Sequence, residues 1–195
     1  MEKEKTTIEQ AFIQNCWDGN EEKVEACLLL EVDVNCVGKA SGEPAGNPSS
    51  SGLTKAAIWG YIEVVDLLLT VPGIDINKTN VRGHSALHDS CWQIGNCSEI
   101  IAKLCSDPRI KLNAKDKFGR TPAFLTVQRG SIENLRALMN VPGVNWNIKN
   151  NGGVSPLMFA VMYEKIEKVA GLVKVPGIDL STMNKKGETL EKVAR

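Results

Sequence analysis

A proline-centred tetrapeptide recurs along this chain at a nearly constant spacing. Its copies centre on Pro72, Pro108, Pro142 and Pro176, which lie 36, 34 and 34 residues apart. A fixed period of this length is typical of chains in which each unit buries its apolar surface against the next unit. The spacing therefore predicts a stack of repeats rather than one layered domain.

A second mark recurs in phase with the first and predicts where helices begin. Glycine followed within two residues by Ser or Thr occurs at Gly83, Gly119, Gly153 and Gly187, and Ser51 holds the same place one repeat earlier. A Ser or Thr at a helix start accepts hydrogen bonds from unpaired amides, and proline fits the first helical position. Each mark should open a helix that breaks near Gly60, Gly95 or Gly130 and is followed by a second apolar helix, so the unit is a helical hairpin.

An extended turn closes each hairpin with an alternating pattern of polar and apolar residues. Its apolar place is held by Ile76, Leu112, Trp146 and Leu180. Since alternate residues of an extended segment point to opposite sides, we expect these four side chains to face the core.

These marks divide the chain into one repeat domain, 1–195. It consists of a capping repeat 7–37, an insertion 38–48, repeats 49–82, 83–118, 119–152 and 153–186, and a partial repeat 187–195. The insertion is turn-forming and too polar to pack, which predicts a mobile loop tip, with a functional loop as the alternative. The partial repeat either closes the stack or continues into a longer protein.

Composition excludes several classes of function. The 23 Lys and Arg residues balance the 23 Asp and Glu residues, so no net field favours nucleic acid or an anionic membrane. Apolar runs such as 64–69 are far shorter than the roughly 20 residues that span a bilayer, and the charged start of the chain lacks a secretion signal. The six cysteines form no CxxC pair. We expect free thiols and a cytoplasmic or nuclear protein.

Residues suited to catalysis are scarce. The only two histidines, His84 and His88, lie in one turn, and no nucleophile or paired carboxylate accompanies them. We expect His84 to be exposed and His88 to be structural. The sequence predicts no enzyme, no metal and no cofactor.

The glycine, the helix cap, the break and the closing turn together resemble the ankyrin repeat, over nearly the whole chain. Leu87-His88 and Ser155-Pro156-Leu157 come closest to that family's G-x-T-P-L-H motif, while Ala123-Phe124, Glu164 and an extra residue before Gly95 depart from it. The resemblance implies an all-α, ankyrin-type solenoid of stacked helix-turn-helix repeats with short β-hairpin-like finger turns. Local irregularity is expected at the departures.

The resemblance also implies that the first helix of every repeat lines a concave groove that binds a protein. Counting from each cap, positions four, seven and eight should face this groove. The predicted partner-binding residues are Trp17, Trp59, Trp92, Leu125, Phe159, Met162 and Tyr163. In the alternative interpretation Trp17 and Trp92 turn inward as core.

The functional hypothesis is a monomeric adaptor or inhibitor that holds one partner protein in this groove. Basic residues at the finger tips would add contacts to an acidic partner segment. The alternative is a targeting or regulatory segment of a larger enzyme or channel.

Overall fold

The computed structural model describes residues 2–44 and 49–194, which form helical hairpins and one small antiparallel sheet. In the sheet, β1 (Val37–Gly38) pairs with β2 (Ser50–Ser51), with Val37 opposite Ser51. The helices of the described residues are α1 (Glu2–Asp18), α2 (Glu21–Leu29), α3 (Gly52–Trp59), α4 (Ile62–Thr70), α5 (Ala86–Trp92), α6 (Ser98–Ser106), α7 (Pro122–Gln128), α8 (Ile132–Met139), α9 (Pro156–Met162), α10 (Ile166–Leu172) and α11 (Leu190–Val193).

The helices form two layers that run along the stack. In the inner layer α1, α3, α5, α7 and α9 pack successively on one another, and in the outer layer α2, α4, α6, α8 and α10 do the same. Each hairpin therefore contacts mainly its neighbours, as the repeat period requires. The predicted all-α solenoid of stacked hairpins is confirmed.

The predicted capping residues begin the inner helices. The hydroxyl oxygens of Ser51, Thr121 and Ser155 accept hydrogen bonds from the amides three residues later, at 3.2 to 3.3 Å. Each cap satisfies one of the amides that a helix start leaves unpaired. The inner helices that these residues open are seven or eight residues long.

The proline tetrapeptide and the closing asparagine bind each other across repeats. In the first case the Asn35 side chain donates to the Gly73 carbonyl oxygen at 2.9 Å and accepts from the Asp75 amide at 2.7 Å. The same paired hydrogen bonds recur at Asn77, Asn113 and Asn147. We call this row the asparagine ladder. It explains why the proline tetrapeptide and the asparagine of the closing turn recur together.

The finger turns lie against one another in the order of the repeats, and their tips are residues 78–82, 115–118, 149–151 and 184–186. The Lys117 amide donates to the Arg82 carbonyl oxygen at 3.1 Å, and the Asn151 amide donates to that of Phe118 at 2.9 Å. Gly83 has a φ of 79°, and a Cβ placed on it would lie 3.0 Å from the Lys117 amide nitrogen. The capping glycine is thus required by its backbone conformation and by the close approach of the next finger.

The extra residue before Gly95 produces the expected irregularity. Here α5 ends at Trp92, and residues 93–97 form a loop before α6 begins. Asn134, which is fully buried in α8 of the following repeat, holds this loop. Its side chain accepts from the Cys97 amide and donates toward the carbonyl oxygens of Ser90, Gln93 and Gly95, at 2.7 to 3.4 Å.

A second departure, Glu164, keeps the backbone of the glycine that it replaces. Its φ is 50°, compared with 77° for Gly60 at the same break. A residue with a Cβ is strained in this left-handed region. The helical hairpin is nevertheless retained, because the amide of Lys165 still reaches the Ala160 carbonyl oxygen at 2.9 Å.

The insertion is packed where the structure describes it, which corrects the prediction of a mobile loop tip. Gln10 of α1 donates to the Lys39 carbonyl oxygen at 2.7 Å, and Gln14 accepts from the Ser41 amide at 2.6 Å. Ala40 is buried. The loop folds back onto the inner helices because its polar groups find partners there; residues 45–48 of the predicted insertion lie outside the described residues.

The core prediction for the closing turns holds in the middle of the stack and fails at its C-terminal end. Ile76 and Trp146 are buried, at 2% and 5% exposure, and Leu112 is half-buried against the core. Leu180, in contrast, is 60% exposed, because only the four-residue α11 follows it in the stack.

Candidate functional site

The inner helices place the predicted site residues on one face of the stack, with different degrees of exposure. Trp59 and Tyr163 are the most accessible, at 53% and 60% exposure, and Met162 is exposed at 38%. Trp17, Trp92 and Phe159 are half-buried. Trp17 and Trp92 are therefore neither fully exposed in the groove nor fully buried in the core, as the alternative interpretation expected.

Leu125 was expected to face the groove, and the structure shows this to be wrong. Its side chain is completely buried, because α7 packs between α5 and α9. Lys55, at the same position of its repeat, is also completely buried. Position four after the cap therefore lies at the seam between inner helices, and only positions seven and eight carry the exposed aromatic residues.

The aromatic side chains form a cluster toward each end of the inner layer. Trp17 and Trp59 meet edge to face, with ring centroids 4.9 Å apart. Phe159 stacks on Tyr163 at 4.4 Å. Edge and offset contacts of this kind hold rings in fixed orientations. The buried Leu125 of α7 leaves a gap between the two clusters.

The N-terminal cluster opens into a cleft of about 310 Å³ that is lined by residues of four successive repeats. Trp17, Trp59 and Trp92 line it, together with Arg82 of a finger and Arg129 at the end of α7. The insertion contributes Glu43 and Pro44 to the wall. A volume of this size holds one or two side chains of a ligand.

Arginine side chains lie against Trp92. The guanidinium carbons of Arg129 and Arg120 are 5.2 and 5.5 Å from the ring centroid, within the range of cation–π contacts. Arg120 is fixed by Asp116 at 2.8 Å and by Gln128 at 3.0 Å. Arg129 is exposed.

A buried ion pair joins the insertion to the inner layer. The Lys55 ammonium contacts both carboxylate oxygens of Glu43, and the exposures of the two side chains are 0% and 3%. The Ala40 amide also donates to Glu43 at 3.0 Å. Sequence analysis missed this pair, since neither residue belongs to a recurring mark.

His84 was expected to be exposed, but it is 4% exposed and held by two carboxylates. Its Nδ1 lies 2.7 Å from Asp89 and its Nε2 lies 3.1 Å from Asp116 in the next finger. The prediction considered the turn alone and not the following finger, which covers the ring. His84 therefore connects the start of repeat 83–118 with the finger at the end of the same repeat.

His88 has the structural role that was predicted for it. Its Nδ1 accepts from the Ser85 amide and lies 2.9 Å from the Ser85 hydroxyl, while its Nε2 donates to the Ala114 carbonyl oxygen at 3.1 Å. Burial and the nearby charge of His84 lower the pKa of His88 from 6.5 to about 4. The ring is thus neutral at pH 7 and connects a helix start with the next closing turn.

Protonation of His88 is expected to destabilise the fold in acid. Between about pH 6.5 and pH 4 the unfolded chain binds this proton and the folded chain does not, so stability falls as pH falls, by as much as about 3 kcal/mol. Urea denaturation at pH 7 and pH 4.5 should show that the stability advantage of the wild type over His88→Gln shrinks in acid. An advantage that stays constant with pH would contradict this assignment.

The described residues contain no group of three or more His, Cys, Asp or Glu side chains that could hold a metal ion. All six cysteines are free, and four of them are buried. Burial raises the pKa of Cys36 and of Cys105 to about 12, which makes these thiols poor nucleophiles. In the part of the chain that the structure describes, no helix has the length and apolar character needed to cross a membrane.

The fold and the groove define a helical-repeat protein of the kind that presents a concave surface. Comparison with known families agrees: residues 96–184 match the model for ankyrin repeats, in three copies. This stretch of the chain therefore consists of ankyrin repeats, and the hairpins before it pack in the same two layers. Proteins built from these repeats generally act by binding other proteins.

Relatives of the chain are ankyrin-repeat proteins of different sizes. Rabankyrin-5 of Mus musculus is 32% identical over 120 residues, which cover 58% of this chain and 10% of that protein. The ankyrin repeat protein YahD of Escherichia coli K12 is 26% identical over 141 residues, which cover 71% of this chain and 66% of YahD. The chain thus spans about a tenth of one relative and 66% of the other.

Proposed function

We propose that this chain is a protein-interaction module, an adaptor or inhibitor, that acts as a monomer and holds one partner protein in the concave groove. The observation that carries the proposal is the exposure of Trp59 and Tyr163 at opposite ends of the inner layer. Large aromatic side chains are enriched among the residues that contribute most to binding energy. Free thiols support a site of action in the cytoplasm or nucleus.

The aromatic clusters favour a partner that follows the inner layer over two or more repeats. Trp17, Trp59 and Trp92 share one cleft, and Phe159 and Tyr163 form the second contact region. Ring contacts already fix these side chains, so little side-chain entropy is lost when a partner binds. Leu125 is buried and is not part of the proposed surface.

Replacing Trp59 and Trp92 together by alanine is expected to weaken capture of the partner at least about tenfold without unfolding the chain. The measurement is quantitative capture of proteins from cell lysate by wild type and variant, with circular dichroism to confirm the fold.

The matched control is Leu29→Ala with Leu30→Ala, an exposed apolar pair of the outer layer at 80% and 63% exposure. The control should capture the same proteins as the wild type. Capture that survives loss of the tryptophans, or that disappears equally in the control, would contradict binding in the groove.

The second candidate is a targeting or regulatory segment of a larger enzyme or channel. It is favoured by the similarity to Rabankyrin-5, of which this chain covers only 10%. Immunoblotting of cells with an antibody to the repeats distinguishes the two. A band near the 21.2 kDa of this chain supports the adaptor, and a much larger band supports the segment.

A further inference from the structure

The carboxylates near the tryptophan cleft are already paired within the protein. Glu43 is bound to Lys55, and Asp89 lies against His84 and accepts from the Asn80 side chain. Asp116 is bound to Arg120 and has no exposed side-chain surface. These acidic groups therefore contribute little negative charge to a ligand.

The cleft is also lined by cations with exposed side chains. Arg82 and Arg129 line the cleft and are exposed, and Lys117 is exposed on the next finger. The Arg129 guanidinium lies over the Trp92 ring, and within residues 2–44 and 49–194 its side-chain N–H groups donate no hydrogen bond. The cleft is thus locally positive although the whole chain carries no net charge.

The arrangement selects for a carboxylate next to an apolar group. A guanidinium presents paired N–H donors that match the two oxygens of a carboxylate. Trp59 offers an exposed ring beside it, and the 310 Å³ of the cleft accommodates one or two side chains. A lysine side chain of a ligand would be repelled by the like charges of Arg120 and Arg129, which already lie against Trp92.

We infer that the partner protein is recognised through a short acidic segment, in which a Glu or Asp carboxylate binds Arg129 and a neighbouring apolar side chain packs on Trp59. This inference rests on the proposed function and names the chemistry of its partner. Nucleic acid is the less favoured anion, because phosphate binding needs many cations along a backbone track, and among the described residues the cations that line this cleft are two arginines.

Three ten-residue peptides test the inference on the full chain. One has Leu-Phe flanked by four glutamates on each side, the second has lysines in place of the glutamates, and the third has Ser-Ser in place of Leu-Phe. Binding is measured by anisotropy of a dye on the peptide and by tryptophan fluorescence, at about 0.15 M salt. We expect the acidic apolar peptide to bind at least about tenfold more tightly than either of the others.

Arg129→Glu should weaken binding of the acidic apolar peptide about tenfold or more and improve binding of the lysine peptide. The matched control is Arg136→Glu in the outer layer, where Arg136 has 68% side-chain exposure, and it should leave both affinities unchanged. Equal affinity for the acidic and lysine peptides, no detectable binding of the acidic peptide, or no effect of Arg129→Glu overturns the inference. Tighter binding of a ten-nucleotide single strand overturns it in favour of nucleic acid.

The inference and the proposed function can fail separately. If capture of proteins depends on Trp59 and Trp92 while the acidic peptide does not bind, the groove binds a partner of different chemistry and only the inference is wrong. If capture does not depend on the tryptophans, the proposal that the groove is the partner-binding surface is wrong.

Discussion

Replacing Lys55 by methionine is expected to lower the free energy of unfolding by about 4 kcal/mol. The substitution leaves the carboxylate of Glu43, which is 3% exposed, without its ammonium partner. Removing one member of a buried pair typically costs 3–5 kcal/mol, because the remaining charge is uncompensated. Urea denaturation followed by circular dichroism gives the value.

The double variant Glu43→Gln with Lys55→Met should recover more than half of this loss, because a neutral amide is cheaper to bury and still accepts from the Ala40 amide. The control is Arg136→Met, which removes an ion pair whose partners are 68% and 66% exposed. Exposed pairs contribute at most about 1 kcal/mol. A double variant no more stable than Lys55→Met would show that methionine fails at this site for reasons of shape and not charge.

Replacing Asn134 by alanine is also expected to cost about 4 kcal/mol. The change leaves the Cys97 amide and the carbonyl oxygens of Ser90, Gln93 and Gly95 without the partner that now satisfies them. Each unsatisfied buried polar group costs roughly 1–3 kcal/mol, reduced where the loop can relax toward water. The measurement is again the free energy of unfolding in urea.

Asn140→Ala provides the control, since Asn140 is an exposed asparagine that follows the same helix. It should change stability by less than about 0.5 kcal/mol. Hydrogen exchange should also rise at residues 93–97 in Asn134→Ala and not in the control. Protection that remains unchanged there would contradict the role of Asn134 in holding the loop.

The fold could be predicted from the sequence because its requirements are local and repeated. Gly83 and its equivalents need a left-handed backbone, Ser51 and its equivalents cap helices, and Asn35 binds the turn of the next repeat. Each requirement leaves the same residue at the same place in successive repeats. The fold can therefore be predicted from the repeated pattern even where a single residue, such as Glu164 in place of the break glycine, departs from it.

The candidate site was predicted only where it follows this period. Positions seven and eight gave the exposed Trp59, Met162 and Tyr163. The burial of Leu125 depends on how closely neighbouring inner helices pack, and that of His84 depends on the following finger. The Lys55–Glu43 pair joins a helix to an insertion that occurs once. None of these three contacts leaves a periodic signal.

The asparagine ladder determines how this molecule can flex. It joins each closing turn to the proline turn of the next repeat by two short hydrogen bonds, so the spacing along this edge is nearly inextensible. The inner helices are held to one another by side-chain packing, which is less directional. Changes in curvature should therefore pivot about the ladder. Such a rotation would open or narrow the tryptophan cleft while the backbone of each hairpin remains unchanged.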